Sequence, residues 1–161
     1  MSVAAAALPP DGPKASRAIL WGGLSAGVGD IAFAFVVSGL RGVGPVSVLQ
    51  SVAGGLLGPP AREGGLATAA LGAALHFLIA GAAAAVYWLA SRRLKVLVRR
   101  PVVCGLLYGV AVYFFMYFVV LPLSAIYFKP SYEPSAVLLN SAGHMLLVGL
   151  PIALAARRYS G

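Results

Sequence analysis

The sequence predicts an all-α membrane protein, a bundle of four transmembrane helices, and three observations predict it. Four apolar runs each reach the about 20 residues needed to cross roughly 30 Å of hydrocarbon. Of the 161 residues, 60% are hydrophobic and only 10% charged, too little polar surface to cover a water-soluble globule of this length. The basic residues stand at the ends of the runs and not within them. Backbone groups in hydrocarbon must be satisfied inside their own segment, and the alternation of a β-barrel strand is absent, so the runs read as helices.

The spans are expected at about 19–40, 65–90, 101–121 and 136–156, one membrane domain over 19–156 between a cytoplasmic tail, 1–18, and a second short tail, 157–161. The Ala/Pro-rich start lacks a basic stretch ahead of its apolar residues, so no cleaved signal peptide is read there. Lys and Arg alone set the orientation. Lys14, Arg17, Arg92, Arg93, Lys95, Arg99, Arg100, Arg157 and Arg158 fall on one side, nine residues against Arg41, Arg62 and Lys129 on the other. The positive-inside rule then puts both termini and the 91–100 loop in the cytoplasm. A net charge of +8 would serve nucleic acid only if gathered on one solvated face. Spread over span ends, it points to anionic lipid at the cytoplasmic loop, and nucleic acid is not an expected partner.

Trp21, Tyr87, Trp88 and Tyr159 are expected at the cytoplasmic headgroup level, and Tyr117, Tyr127, Phe128 and Tyr132 at the other. In the connection between spans one and two, Pro45 can start a short interfacial helix that puts Val46, Leu49, Val52 and Leu56 on one face and Ser47, Gln50 and Ser51 on the wet one. Gly54, Gly55, Gly58, Pro59 and Pro60 stop it. Lys129, Pro130, Glu133 and Pro134 read as a rigid turn. Cys104 is the single cysteine; it allows no intrachain disulfide and reads as a small core residue.

Two glycine pairs, Gly23 with Gly27 and Gly105 with Gly109, are small-x-x-x-small spacings that let helix backbones approach. Each belongs to a Gly-Leu-x-x-Gly-Val string. The partner spans also echo one another: His76, Gly81 and Arg92-Arg93 in span two, His144, Gly149 and Arg157-Arg158 in span four. Two hairpins related as parallel repeats would produce this pattern, with 41–64 an insertion in the first. Asp30 has Val112 opposite it in that alignment, so the symmetry does not extend to the acidic residue.

The candidate chemistry is one layer. Asp30, His76 and His144 fall at similar depth on three spans, and Asn140 lies one turn before His144. A charged side chain at the bilayer centre costs from about 2.5 kcal/mol upward, so these groups are expected to face the bundle and find partners. Three readings follow. In the first, Asp30 bonds one or both histidines with Asn140 in support, a dry cluster that fixes helix register. In the second, the same residues form a proton or ion relay. In the third, the two histidines ligate a haem iron, or a metal together with Asp30. The first is preferred, with no cofactor. No Gly-x-Ser-x-Gly, His-Glu-x-x-His or P-loop string occurs, so an enzyme is not expected.

The strings Asp30-Ile31, Leu49-Gln50-Ser51, Leu75-His76-Phe77, Leu121-Pro122-Leu123 and Gly143-His144-Met145 resemble those of a family of uncharacterised four-helix bacterial inner-membrane proteins. More distantly, the histidine of span two, the Pro-Leu after span three and the Gly-His of span four are similar to YagU-type inner-membrane proteins. That resemblance implies a bacterial inner membrane and a link to acid tolerance, which a protonatable Asp and His layer would suit. It implies no biochemical activity. A homo-oligomer or an accessory role in a larger membrane complex is open.

Overall fold

The computed structural model describes residues 12–126 and 133–160, apart from the side chain of Pro13. Among them the chain is helical, with four helices long and apolar enough to cross a membrane. Span one is Gly12–Gly39 and span two Gly65–Arg93; span three is Pro101–Leu123 and span four Pro134–Tyr159. The protein is a multi-pass membrane protein. Span one begins at Gly12, ahead of its apolar run. Lys14, Ala15 and Arg17 are good helix formers and extend it beyond hydrocarbon.

With four spans, the start of span one, the link between spans two and three and the end of span four lie at one end, here the basic end. Lys14, Arg92, Lys95, Arg99 and Arg157 converge there around a single cavity of about 620 Å³. A short helix, Val96–Arg99, carries the link, and the Tyr87 hydroxyl donates to the Leu97 carbonyl at 3.0 Å to hold it against span two.

Around the bundle the spans run two, one, four, three. Span one packs on spans two and four, and span four on span three, whereas spans two and three meet mainly through Tyr108, whose ring lies edge-on to Tyr87 at 4.9 Å. The core is concentrated toward the basic end, where Ala18, Ala26, Ala84, Tyr87, Trp88 and Ile152 are buried together. Tyr87 and Trp88 therefore turn into the protein at the basic end, Tyr87 toward the link and Trp88 beside the basic cavity. Alanines opposite them leave room that two large rings fill. Trp21 does face outward. Tyr127, Phe128, Lys129, Pro130 and Tyr132 lie outside the described residues; Glu133 precedes span four, and Pro134 takes its first helical position. Cys104 is half-buried, its thiol 3.6 Å from the Val96 carbonyl.

The connecting helix forms over Pro45–Leu57, started by Pro45, but the face it buries is not the expected one. Val48, Gln50, Ala53 and Gly54 are buried, while Val46 and Leu56 are exposed, Leu56 at 61%. The reason is Gly72 of span two: a Cβ there would overlap the Leu49 carbonyl, so the helix docks by its backbone on its small-residue side. Gln50 is then enclosed at 6% exposure and donates from Nε2 to the Gly65 carbonyl at 3.0 Å. Gly58, at φ +67, provides the left-handed turn that ends the helix, a backbone state only glycine adopts cheaply.

Spans three and four each contain one π-helical turn, Met116–Val120 and Met145–Gly149. Each turn ends two residues before a proline, Pro122 and Pro151. Proline has no N–H to donate and its ring crowds the carbonyl of the preceding turn. Widening the turn just before it relieves that crowding, and π turns of this kind concentrate at functional sites.

Candidate functional site

Asp30, His76 and His144 line one cavity of about 210 Å³. The rest of its lining is apolar: Ala26, Val52, Ile79, Ala80, Ala83, Val112, Met116 and Val148. Three spans thus bring their single midplane titratable groups to one space, but they do not bond to one another as a closed cluster.

His76 turns its Nε2 to the Gly27 carbonyl of span one, 2.9 Å away. The His144 Nδ1 lies 3.0 Å from the Asn140 carbonyl of its own helix, and the nearest Asp30 oxygen is 3.7 Å from that same nitrogen. At 3.7 Å the two groups are close but not hydrogen-bonded. Asn140 contributes its backbone only, because its side-chain Nδ2 donates to the Ala136 carbonyl at 2.7 Å. Among the described residues no group of three His, Cys, Asp or Glu side chains is placed to hold a metal ion. The cavity's roughly 210 Å³ is below the about 300 Å³ at which small-molecule pockets begin, so a porphyrin has no room between the two rings.

The walls explain why the groups stop short of one another. On the side of spans one and four the packing is tight: a Cβ on Gly143 would stand 2.8 Å from the Phe33 ring, and one on Gly29 3.3 Å from Leu147. A Cβ on Gly27 would meet the Phe77 ring at 2.7 Å, and one on Gly23 would come within 2.9 Å of the Gly81 Cα. In the other hairpin, Gly105 lies against Gly149 and Leu150, and Gly109 against the backbone of His144 and Met145. The four glycines therefore set how closely each span approaches its neighbour, and with it the depth of both histidines. The His144 ring meets Tyr113 edge-on at 5.3 Å.

No protein-family model, curated protein or solved structure matches this chain. The reading of the site rests on its own geometry.

On the side of spans two and three the site adjoins more space. A second, apolar cavity of about 530 Å³ lies between them, lined from span two by Ile79, Ala82, Ala83 and Val86 and from span three by Tyr108, Ala111, Val112, Phe115, Met116 and Val120. It shares Ile79, Ala83, Val112 and Met116 with the Asp/His cavity. Two hydrogen bonds tie span three across the gap: the Tyr108 hydroxyl donates to the Ala83 carbonyl at 2.7 Å, and the Ala125 N–H to the Gly55 carbonyl of the connecting helix at 2.9 Å. A third cavity, about 310 Å³, carries Val52, Ile79 and Met116 on toward Ser51, Ser124 and Ile126 at the far end. Toward the basic end Tyr87, Trp88, Val148 and Ile152 are buried together. The sequence pointed to the layer of polar residues but not to this opening, which depends on which spans touch.

Proposed function

We propose that this is a non-enzymatic component of a bacterial inner membrane, with both termini cytoplasmic, whose Asp30, His76 and His144 form a binding site inside the bilayer. The observation that carries the reading is the shared cavity, with the nearest Asp30 and His144 atoms 3.7 Å apart and their side chains 22% and 19% exposed. A cluster kept for helix register alone closes its hydrogen bonds and fills its space, because an intramembrane charge is costly. A through-going proton or ion path is less well supported, since a relay needs access from both sides and Tyr87, Trp88 and Ile152 are buried together toward the basic end.

The basic end fits the cytoplasmic leaflet. Five cationic side chains around one cavity match phosphate headgroups, worth about 1 kcal/mol per Lys or Arg near an anionic surface. Arg92→Gln with Arg99→Gln and Arg157→Gln is expected to reduce the anionic lipid retained through purification.

The binding-site reading is tested with a carbodiimide that partitions into lipid and reacts with an accessible intramembrane carboxyl. Modification of Asp30 in the folded protein is the expected result. An unmodified Asp30 returns the residues to the dry packing cluster, and Asp30-dependent proton flux in liposomes favours the relay.

A further inference from the structure

The hydrogen bonds around the two histidines decide what kind of guest the cavity accepts. A carbonyl oxygen only accepts, so the ring nitrogen facing it carries the proton. This assigns the proton of His76 to Nε2, bonded to the Gly27 carbonyl, and that of His144 to Nδ1, bonded to the Asn140 carbonyl. In its neutral form each ring then has only an accepting nitrogen left, Nδ1 of His76 and Nε2 of His144. A carboxylate is acceptor-only as well, and these three are the only polar side chains in the cavity's lining. With the rings neutral and the carboxyl ionised, a guest meets one negative charge and two bare nitrogens, with no side-chain donor. Such a set repels carboxylates and gives a carbonyl or quinone oxygen nothing to bond. It suits a group with several N–H donors and a positive charge.

The approach to it is equally selective. The crevice between spans two and three is apolar and adjoins the Asp/His cavity through four shared residues, and it opens sideways between membrane helices. Together the two spaces describe a molecule with an apolar body and a single donating head. Resting on the binding-site reading above, we infer that the protein takes up a lipophilic amine from the bilayer through the crevice between spans two and three, its ammonium group lying among Asp30, His76 and His144. An acyl chain alone would satisfy the crevice but leave the carboxylate uncompensated, and a second copy of the chain would fill the crevice without reaching the cavity.

The test is photolabelling of the full-length protein in nanodiscs with dodecylamine carrying a diazirine in its chain, beside the corresponding dodecanol and dodecanoic acid probes, with labelled residues mapped by mass spectrometry. The expected result is saturable labelling of the walls of spans two and three by the amine, competed by unlabelled dodecylamine. Asp30→Asn should weaken it about tenfold or more, the scale of a lost charge-assisted hydrogen bond. Ala111→Phe and Ala82→Phe act at outward-facing crevice positions, so they should abolish labelling while the protein remains folded, which keeps the test valid if Asp30→Asn folds poorly. Equal, Asp30-independent labelling by all three probes would mean an acyl-chain groove and overturn the amine assignment. Saturable labelling by dodecanoic acid that needs the histidines would keep the binding site and overturn its donor preference. No saturable labelling by any probe, together with an unmodified Asp30 in the carbodiimide reaction, would overturn both readings. Efficient disulfide formation between copies through Ala111→Cys would assign the crevice to a second protomer and overturn the inference.

Discussion

The two hairpins of this bundle solve the same packing problem with different tolerance. Gly23 of span one rests on Gly81 of span two, and Gly105 of span three rests on Gly149 of span four, equivalent positions in the two halves. In the first hairpin the contact is one-sided, because a Cβ added to Gly81 would meet nothing within 4 Å. In the second it is reciprocal: a Cβ on Gly149 would overlap Gly105 and Gly109 backbone, and one on Gly109 would overlap the His144 carbonyl. The first hairpin runs as uninterrupted α-helix, and the second bends each span through a π turn. The lesson is that similar glycine spacing does not set similar rigidity. The histidine held by carbonyl contact in a jammed interface, His144, is the one placed beside the carboxylate.

Substitutions at matched positions can break this comparison. Gly149→Ala and Gly109→Ala should be the most damaging, since backbone cannot move aside as a side chain does; a loss of about 3 kcal/mol, the upper part of the overpacking range, is expected in thermal denaturation of the detergent-solubilised protein. Gly27→Ala should cost about 1 kcal/mol, because the Phe77 ring that it meets can rotate. Gln50→Ala should cost a similar amount, about 1 kcal/mol, by removing the hydrogen bond to the Gly65 carbonyl that pins the connecting helix. Asp30→Asn should leave the melting temperature unchanged or raise it, because it replaces an intramembrane carboxyl that makes no hydrogen bond to the nearest histidine nitrogen, 3.7 Å away. Gly81→Ala should be neutral. A large cost at Gly81 equal to that at Gly149 would show the hairpins to be mechanically alike.

The spans were legible because length and apolarity are sufficient: 65–90 and 101–121 need no tertiary information to be read as crossings. The depth of Asp30, His76 and His144 was legible for the same reason, since counting residues along a helix measures height in a bilayer. Direction around a helix was not. The connecting helix buries Gln50 in place of Val46 and Leu56 because Gly72 admits the Leu49 carbonyl, a contact between segments that no periodicity within Pro45–Leu57 contains. Two local signals were readable in principle. Leu121-Pro122 and Leu150-Pro151 mark both π turns, and the alanines facing Tyr87 and Trp88 mark a niche for those rings. The crevice had no such signature, because it is made by two spans that each look ordinary and stand apart except around Tyr108.

That sparse interface also bears on how the chain is made. Span two meets span one as soon as it emerges during synthesis, so the first hairpin can close early. Span three does not, since nearly all its packing is with span four and the glycine seam that holds it is still inside the ribosome. For the time needed to add the remaining residues, the third helix has little more than the Tyr108 tie to span two and otherwise depends on lipid or on the insertion machinery for company.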